Sequence, residues 1–217
     1  MTALAVLISG NGSNLQAILD SPECSGAKVR CVISNRPDAH GLERARRAGI
    51  ATRVVPHRGL QREEFDARLL QCVLDCSAEL VVLAGFMRIL TPVFTAPLAG
   101  RLVNIHPSLL PKYPGLNTHA RAIEAGDVWH GASVHFVTEE LDGGPVIAHA
   151  RLRIQAGESP EDLRQRVHAV EHRLYPRSIA HLCSGAVTFR GGAAYLGDQL
   201  IPPQGLRLDS ELRALTA

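Results

Sequence analysis

Aromatic side chains and long apolar runs are both scarce in this sequence. Only 4% of its 217 residues are aromatic, so it offers few flat surfaces on which a nucleotide base could stack. No apolar run reaches the roughly 18 residues of a membrane span, and the N-terminus lacks the basic start and cleavage site of a signal peptide. The formal net charge is only +2, which does not favour nucleic acid. We therefore expect a cytoplasmic protein with neither a membrane nor nucleic acid as a partner.

Metal-binding patterns of cysteine and histidine are missing as well. The cysteines are odd in number and irregularly spaced, and no CxxC pair is present. His168 and His172 lie four residues apart in a helical stretch, but no third ligand accompanies them. This pattern predicts that no metal is bound and that every cysteine is a free thiol, as is usual in the cytoplasm. The cysteines are Cys24, Cys31, Cys72, Cys76 and Cys183.

What the first half of the chain does contain is a regular alternation of short apolar runs with helical patterns. The predicted strands are Leu4–Ser9, Val29–Ser34, Thr52–Val55, Leu80–Ala84 and Leu102–Ile105. The predicted helices are Leu15–Asp20, Leu42–Ala48 and Glu63–Cys76. Such an alternation is typical of a parallel sheet with helices on both faces.

The pattern of apolar residues changes in the second half of the chain. From His130 onward apolar and polar residues alternate, and "LDGGP" interrupts the alternation, which predicts an antiparallel hairpin. A long helix follows, with Ser159 as its N-cap and Pro160 at its first position. The sequence therefore predicts an α/β fold with a doubly wound, mostly parallel sheet and an antiparallel hairpin added in the C-terminal half. From Ala186 we expect a small hairpin and an irregular end.

The loop "SGNGSN" follows the first predicted strand, at the edge where open parallel sheets bind ligands. Gly10 and Gly12 permit a tight turn and a close approach of a ligand, while Ser13 and Asn14 add side-chain donors. Free backbone N–H groups at the start of the next helix favour an anion such as a phosphate. No lysine completes a P-loop, and Leu15 stands where a dinucleotide fingerprint has its third glycine. The alternative is a tight turn that holds no ligand.

A second candidate site combines two segments that are far apart in sequence. Asn104 and His106 lie two residues apart near a strand end, so their side chains share a face. An amide beside an imidazole can polarise a carbonyl and hold the oxyanion that forms. Asp142, in the predicted hairpin turn, would favour the charged imidazole if it lay near His106. Alternatively, the pair caps local backbone and the aspartate belongs only to a turn; His135 could face either the site or the core.

Four motifs give the chain a resemblance to a known family. "SGNGSNLQAI", "VVLAGFMRIL", "NIHPSLLPKYPG" and "HGASVHFVTEELDGGPVI" together resemble the phosphoribosylglycinamide formyltransferase family, in register from about Ala5 to Pro176. "NIHPSLLP" with a downstream "LDGGP" occurs in looser form in other formyltetrahydrofolate enzymes. The resemblance implies a single formyltransferase-like domain over residues 1–217. It would comprise a phosphate-binding half (1–100), a catalytic and folate-binding half (101–185) and a C-terminal tail (186–217).

The resemblance also implies roles for individual residues. Gly12, Ser13, Asn14 and Glu171 would hold the phosphate and ribose of the ribonucleotide. Asn104, His106 and Asp142 would be catalytic. The folate would be bound by Arg62, Met87, Arg88, Ile89 and Leu90 together with Asn104 and Asp142. One departure is visible, since Asn117 stands in "YPGLxTH" where the family is expected to have a histidine or an acidic residue.

The activity that the resemblance implies is formyl transfer in de novo purine biosynthesis. The formyl group of 10-formyltetrahydrofolate, a co-substrate, would pass to the glycinamide amine of 5-phosphoribosylglycinamide by direct attack through a tetrahedral intermediate, without a metal. The expected assembly is a monomer or a homodimer. The alternatives are a deformylase, a formyltransferase that acts on a different amine, and a non-catalytic phosphate- or folate-binding module.

Overall fold

The structure, a computed structural model, describes residues 1–208 of the chain as eleven strands and six α-helices. The strands are β1 (Thr2–Ile8), β2 (Ala27–Ser34), β3 (Ala51–Val54), β4 (Leu80–Leu83), β5 (Leu102–His106), β6 (Trp129–Phe136), β7 (Val146–Arg153), β8 (Val187–Arg190), β9 (Ala193–Leu196), β10 (Gln199–Leu200) and β11 (Leu206–Arg207). The helices are α1 (Ser13–Asp20), α2 (His40–Arg47), α3 (Arg62–Asp75), α4 (Pro92–Thr95), α5 (Thr118–Glu124) and α6 (Pro160–Cys183).

Eight strands form the central sheet, in the order β11-β7-β6-β5-β4-β1-β2-β3. Strands β1 to β5 are parallel, whereas β6 is antiparallel to β5 and β7 is antiparallel to β6. The predicted fold class, a doubly wound and mostly parallel sheet with an antiparallel hairpin, is confirmed. The tail adds a separate antiparallel sheet of β8, β9 and β10; residues 209–217 of the predicted tail lie outside the described residues.

Both faces of the central sheet are covered, which explains why its central strands, β1 from Ala3 onward and β4, are apolar without interruption. On β1, Leu4, Val6 and Ile8 belong to a core shared with α1, α2 and α6. Ala5 and Leu7 point to the opposite face and belong to a core shared with α3 and α4. The period-two alternation of a strand therefore divides one short segment between two hydrophobic layers.

The strand order reverses between β1 and β4, and this reversal fixes the place of the ligand cleft. Loops that leave two such neighbouring strands diverge to opposite faces and open a crevice at their carboxyl ends. Here the two loops are also tied together. The Ser9 backbone N–H donates to the carbonyl of Gly85 (3.1 Å), and the Met87 N–H donates to Ser9 Oγ (2.8 Å). The "SGNGSN" and "FMRIL" segments consequently lie side by side.

Helix α6 is the longest helix and packs across the hairpin strands and α1. Ser159 caps its N-terminus by accepting a hydrogen bond from the Asp162 N–H (3.1 Å), as predicted. The buried Tyr175 hydroxyl lies 2.9 Å from the carbonyl of Leu83 and 3.2 Å from that of Val103, so it anchors the helix to the centre of the sheet. In the part of the chain that the structure describes, no helix is both long and apolar enough to cross a membrane.

The prediction of free thiols is wrong for two of the five cysteines. Cys31 on β2 and Cys76 at the end of α3 form a disulfide, with their Cα atoms 6.3 Å apart. Packing of α3 against the sheet brings them together, and a separation of 45 residues gives no sign of this in the sequence. Cys24, Cys72 and Cys183 are free, as predicted.

Candidate active site

The loop after β1 forms a narrow turn, which we call the anion cradle (Gly12, Ser13 and Asn14). Gly12 precedes α1 in the left-handed region, at φ +75°. A Cβ atom on Gly12 would lie 2.6 Å from the Cα of Gly41, so only glycine fits. The Gly41 N–H donates to the carbonyl of Gly10 (3.0 Å) and holds α2 against the loop. The first N–H groups of a helix have no partner within the helix, so those at the start of α1 are suited to bind an anion.

Helix α6 contributes partners to both side chains of the anion cradle. Ser13 Oγ lies 2.7 Å from His168 Nε2, and Asn14 Nδ2 donates to Glu171 Oε2 (3.0 Å). Burial raises the pKa of Glu171 to about 7, against the opposing effects of Asn14 and Arg164. Glu171, to which the resemblance gives a role at the ribonucleotide, lies beside Asn14. The position of His168 at the cradle is not evident from the sequence.

The predicted catalytic residues lie together near the carboxyl end of β5. His106 Nδ1 is 3.4 Å from Asp142 Oδ2, and both side chains are less than a tenth exposed. Asp142 has a left-handed backbone (φ +53°), and its Oδ2 accepts a hydrogen bond from the Gly115 N–H (2.9 Å). The hairpin turn thus brings the carboxylate back to the end of β5. We call Asn104, His106, His135 and Asp142 the transfer cluster.

The contacts of His106 determine where its protons lie. Its Nε2 is 2.8 Å from the carbonyl oxygen of Tyr113, and because a carbonyl only accepts, Nε2 carries a hydrogen. Its Nδ1 then faces the carboxylate of Asp142, and this contact is favourable when Nδ1 also carries a proton. A hydrogen on Nδ1 would therefore be directed at the carboxylate of Asp142.

His135 faces the site rather than the core, and this decides an alternative that the sequence left open. It lies directly opposite Asn104 in the β5–β6 register. Its Nδ1 is 2.9 Å from the carbonyl of Phe136, and burial lowers its pKa to about 4, so the ring is neutral. Its Nε2 therefore accepts from Asn104 Nδ2 (3.2 Å), which fixes the orientation of the Asn104 amide.

A cleft between the end of β4 and the β6–β7 turn lies next to the transfer cluster. Three predicted folate residues, Arg88, Ile89 and Leu90, line it together with Asn104 and Asp142. The Arg88 guanidinium lies 5.5 Å from the centre of the Phe65 ring, and its buried Nε has no hydrogen-bond partner within residues 1–208.

The remaining two predicted folate residues lie beside this cleft rather than in its lining. Arg62, at the start of α3, donates to the carbonyl of Ile89 (3.0 Å). Met87 lies in the loop after β4, where its N–H joins the loop after β1, and its side chain is largely exposed. All seven predicted folate residues, Asn104 and Asp142 included, are thus at one edge of the sheet.

Asn117 occupies a structural position at the start of α5. Its backbone is left-handed (φ +57°), a conformation that asparagine tolerates better than most residues, and its side chain makes no capping hydrogen bond. Nearby, His119 Nδ1 lies 3.1 Å from His130 Nε2. Across the described residues 1–208, no group of three or more histidine, cysteine, aspartate or glutamate side chains is arranged to hold a metal ion.

The fold and the site define a class: an α/β enzyme with a glycine-containing loop after its first strand and an Asn-His-Asp cluster at the same sheet edge. The model of the formyl transferase family matches residues 2–179, and the chain belongs to that family. Its relatives include the phosphoribosylglycinamide formyltransferase of Escherichia coli (strain K12), which is 53% identical over 209 residues, 95% of this chain and 99% of that protein. The enzyme of the same name from Haemophilus influenzae is 44% identical over 208 residues, 94% of this chain and 98% of that protein.

A solved structure agrees with these sequence relatives. The phosphoribosylglycinamide formyltransferase of Coxiella burnetii superposes with a TM-score of 0.91 at 45% identity, over 95% of this chain and 98% of that one. The resemblance inferred from the four sequence motifs is therefore confirmed.

Proposed function

We infer that the chain is a phosphoribosylglycinamide formyltransferase of purine biosynthesis, and we propose 10-formyltetrahydrofolate as its formyl donor. The observation that carries the mechanism is the 3.4 Å contact of His106 with Asp142 beside Asn104, at the sheet edge that also bears the anion cradle. A phosphorylated amine and a formyl donor can therefore meet at one place.

The ribonucleotide is held at the anion cradle. Its phosphate accepts hydrogen bonds from the backbone of Gly12 to Asn14 at the start of α1, where the helix dipole stabilises negative charge. Ribose hydroxyls donate to the carboxylate of Glu171. The glycinamide amine then extends along the end of the sheet toward the transfer cluster.

The folate lies in the cleft formed by Arg88, Ile89 and Leu90. The apolar strand end contacts the flat pterin, and Arg62 and Met87 flank this segment. Arginine side chains pair well with carboxylates, so Arg62 suits the acidic tail of a folate. The formyl group then projects toward Asn104 and Asp142.

Formyl transfer begins when the neutral glycinamide nitrogen attacks the formyl carbon. A C–N bond forms, and the π electrons of the carbonyl move to its oxygen. The Nδ1–H of His106 and the second Nδ2–H of Asn104 stabilise this oxyanion more strongly than the carbonyl of the substrate. The 3.4 Å separation of His106 and Asp142 leaves Nδ1–H free to be shared with that oxygen.

Collapse of the intermediate needs a proton transfer between two nitrogens. The attacking nitrogen loses a proton, which passes by way of water at the Asp142 carboxylate to N10 of the folate. The carbonyl re-forms as the bond from carbon to N10 breaks, and tetrahydrofolate leaves. The alignment of the two bound substrates contributes much of the rate gain.

We also propose that the protein acts in the cytoplasm, as a monomer or a homodimer. In its single domain, residues 1–100 supply the phosphate-binding loop and residues 101–185 the catalytic and folate-binding half. The tail begins at residue 186. Small-molecule substrates are its partners, and no metal takes part in the reaction.

A direct assay tests the activity. Purified protein is mixed with 10-formyltetrahydrofolate and glycinamide ribonucleotide, and loss of the formyl-folate absorbance is followed while the formylated ribonucleotide is detected by mass spectrometry. We expect consumption only when both substrates are present. Consumption without the ribonucleotide would instead identify a hydrolase. The Asp142→Asn variant, purified identically, controls for a contaminating enzyme.

A further inference from the structure

His168 and His172 have no part in the reaction described above, yet they lie against the anion cradle. On α6, positions three and four residues apart share a face, so His168 lies beside both Glu171 and His172. Ring centroids of the two histidines are 4.3 Å apart, and His168 Nε2 is 2.7 Å from Ser13 Oγ. A pair of titratable rings therefore adjoins the loop that receives the phosphate.

Two buried polar atoms at this place are unsatisfied. Asn14 is 8% exposed, and its Oδ1 has no hydrogen-bond partner among the described residues. The same holds for Nε2 of His172. A buried polar atom without a partner costs about 1–3 kcal/mol, so two of them beside one loop indicate a place built for a polar ligand.

The surroundings keep both rings neutral before a ligand arrives. Burial, reinforced by Arg164 on the same helix, lowers the pKa of His168. Burial, His168 and then Arg44 on α2 lower the pKa of His172. A phosphate dianion placed at the cradle reverses this balance, because a nearby anion favours the charged form of imidazole.

We propose that the His168–His172 pair is a proton-accepting contact for the phosphate monoester of the ribonucleotide, so that phosphate binding takes up one proton. The inference rests on the proposed function of the anion cradle and adds to it a titrating residue.

Protonation also reverses the direction of one hydrogen bond. In a neutral ring with its hydrogen on Nδ1, Nε2 accepts the proton of the Ser13 hydroxyl. In the charged ring Nε2 is a donor, so it donates to Ser13 Oγ. The Ser13 O–H is then free to donate to a phosphate oxygen. Proton uptake thus supplies the phosphate with a nearby positive charge and an additional donor.

Calorimetry in two buffers of different ionisation enthalpy measures this proton directly. The probe is ribose 5-phosphate at about pH 7.5, where a phosphate monoester is mostly a dianion. We expect the wild-type protein to take up protons on binding, at most one per ligand, and to bind more weakly as the pH rises. Inorganic phosphate should bind more weakly than the ester, and equal affinity would contradict the monoester assignment.

Three variants locate the proton. His168→Gln should lose the uptake and bind ribose 5-phosphate roughly tenfold more weakly at about pH 6, the scale of one charge-assisted hydrogen bond. His168→Lys, with a permanent charge, should bind without proton uptake and with little dependence on pH. His181→Gln, in the last turn of the same helix, is the matched control and should behave as wild type.

The inference and the proposed function can fail separately. Uptake that persists in His168→Gln, or that disappears only in Glu171→Gln, overturns the role of the histidine pair even if formyl transfer is normal. Uptake that depends on His168 in a protein without transferase activity would leave the pair supported and refute the proposed reaction. Thermal unfolding of each variant confirms that it is folded.

Discussion

The anion cradle and the transfer cluster lie at the same edge of one sheet, but they are built in opposite ways. The cradle consists of three consecutive residues whose backbone is held by the contact of Gly12 with Gly41. The transfer cluster instead gathers side chains from β5, β6 and the hairpin turn, held by strand register. One site is local and made mainly of backbone; the other is assembled from distant segments and made of side chains.

This difference in construction implies a difference in function. Backbone donors at a helix start, as proposed for the cradle, would bind the phosphate alike in the substrate and in the transition state, so they would govern affinity. Side chains that point at a developing charge act mainly in the transition state, so they govern the rate. Changes in the cradle should therefore alter KM for the ribonucleotide, and changes in the transfer cluster should alter kcat.

The largest effect is expected for Asp142→Asn. Loss of the carboxylate removes both the partner of His106 Nδ1 and the proposed acceptor in proton transfer, so kcat should fall by roughly 10⁴-fold, the upper end for acid–base catalysis. KM for the ribonucleotide should change little. Steady-state kinetics measure both values, and Asp198→Asn, an equal change of charge at a fully exposed side chain, is the control.

A fully active Asp142→Asn enzyme would remove the carboxylate from the mechanism. If kcat/KM fell only because KM rose, the transfer cluster would act in binding. That result would contradict the assignment of affinity to the cradle and of rate to the transfer cluster.

The next largest effect is expected for Asn104→Ala. If the amide donates to the oxyanion, its removal should lower kcat by about 10²–10³-fold. Binding of folate and ribonucleotide, measured by calorimetry, should be nearly unchanged, since the lost hydrogen bond matters mainly in the transition state. Turnover close to that of wild type would show that the amide has a structural role only.

The contrast between the regions also explains what the sequence could predict. The sequence indicates the cradle because glycines and small polar residues directly follow an apolar strand. It indicates Asn104 and His106 because two residues of one strand share a face. It leaves the orientation of His135 open because that orientation depends on the β5–β6 register, which pairs His135 with Asn104. The disulfide of Cys31 and Cys76 likewise depends on packing between layers.

A smaller effect is expected beside the cradle, where Glu171→Gln should change the pH dependence of the free energy of unfolding. Burial raises the pKa of Glu171 from 4.5 to about 7 in the folded protein, so the folded state holds the proton more tightly than the unfolded one. Glu171 therefore lowers stability as the pH rises from about 4.5 to about 7, by at most about 3 kcal/mol. Glu171→Gln should remove this decline.

Urea unfolding at several pH values measures the difference. Glu171→Gln and wild type should have similar unfolding free energies near pH 4.5, and the variant should be more stable by pH 8, when both are compared with the exposed-site control Glu124→Gln. The KM of Glu171→Gln for the ribonucleotide should rise, because one of the two carboxylate oxygens that can accept from the ribose is replaced. If the unfolding free energies of the variant and the wild type changed with pH in the same way, folding would not raise the pKa of Glu171.

The smallest effect is expected for His135→Leu, because His135 acts through Asn104 and not on the substrate. Without the acceptor at Nε2 the Asn104 amide is no longer held, and we expect kcat to fall about tenfold, the scale of one lost hydrogen bond. His135→Gln, whose amide oxygen can accept from Asn104, should recover part of the rate. In an Asn104→Ala background, His135→Leu should cost nothing further, since residues that act as one unit are not additive. If the two losses multiplied instead, His135 would be acting on the substrate directly or on the fold, and the register of β5 and β6 would no longer explain its place in the transfer cluster.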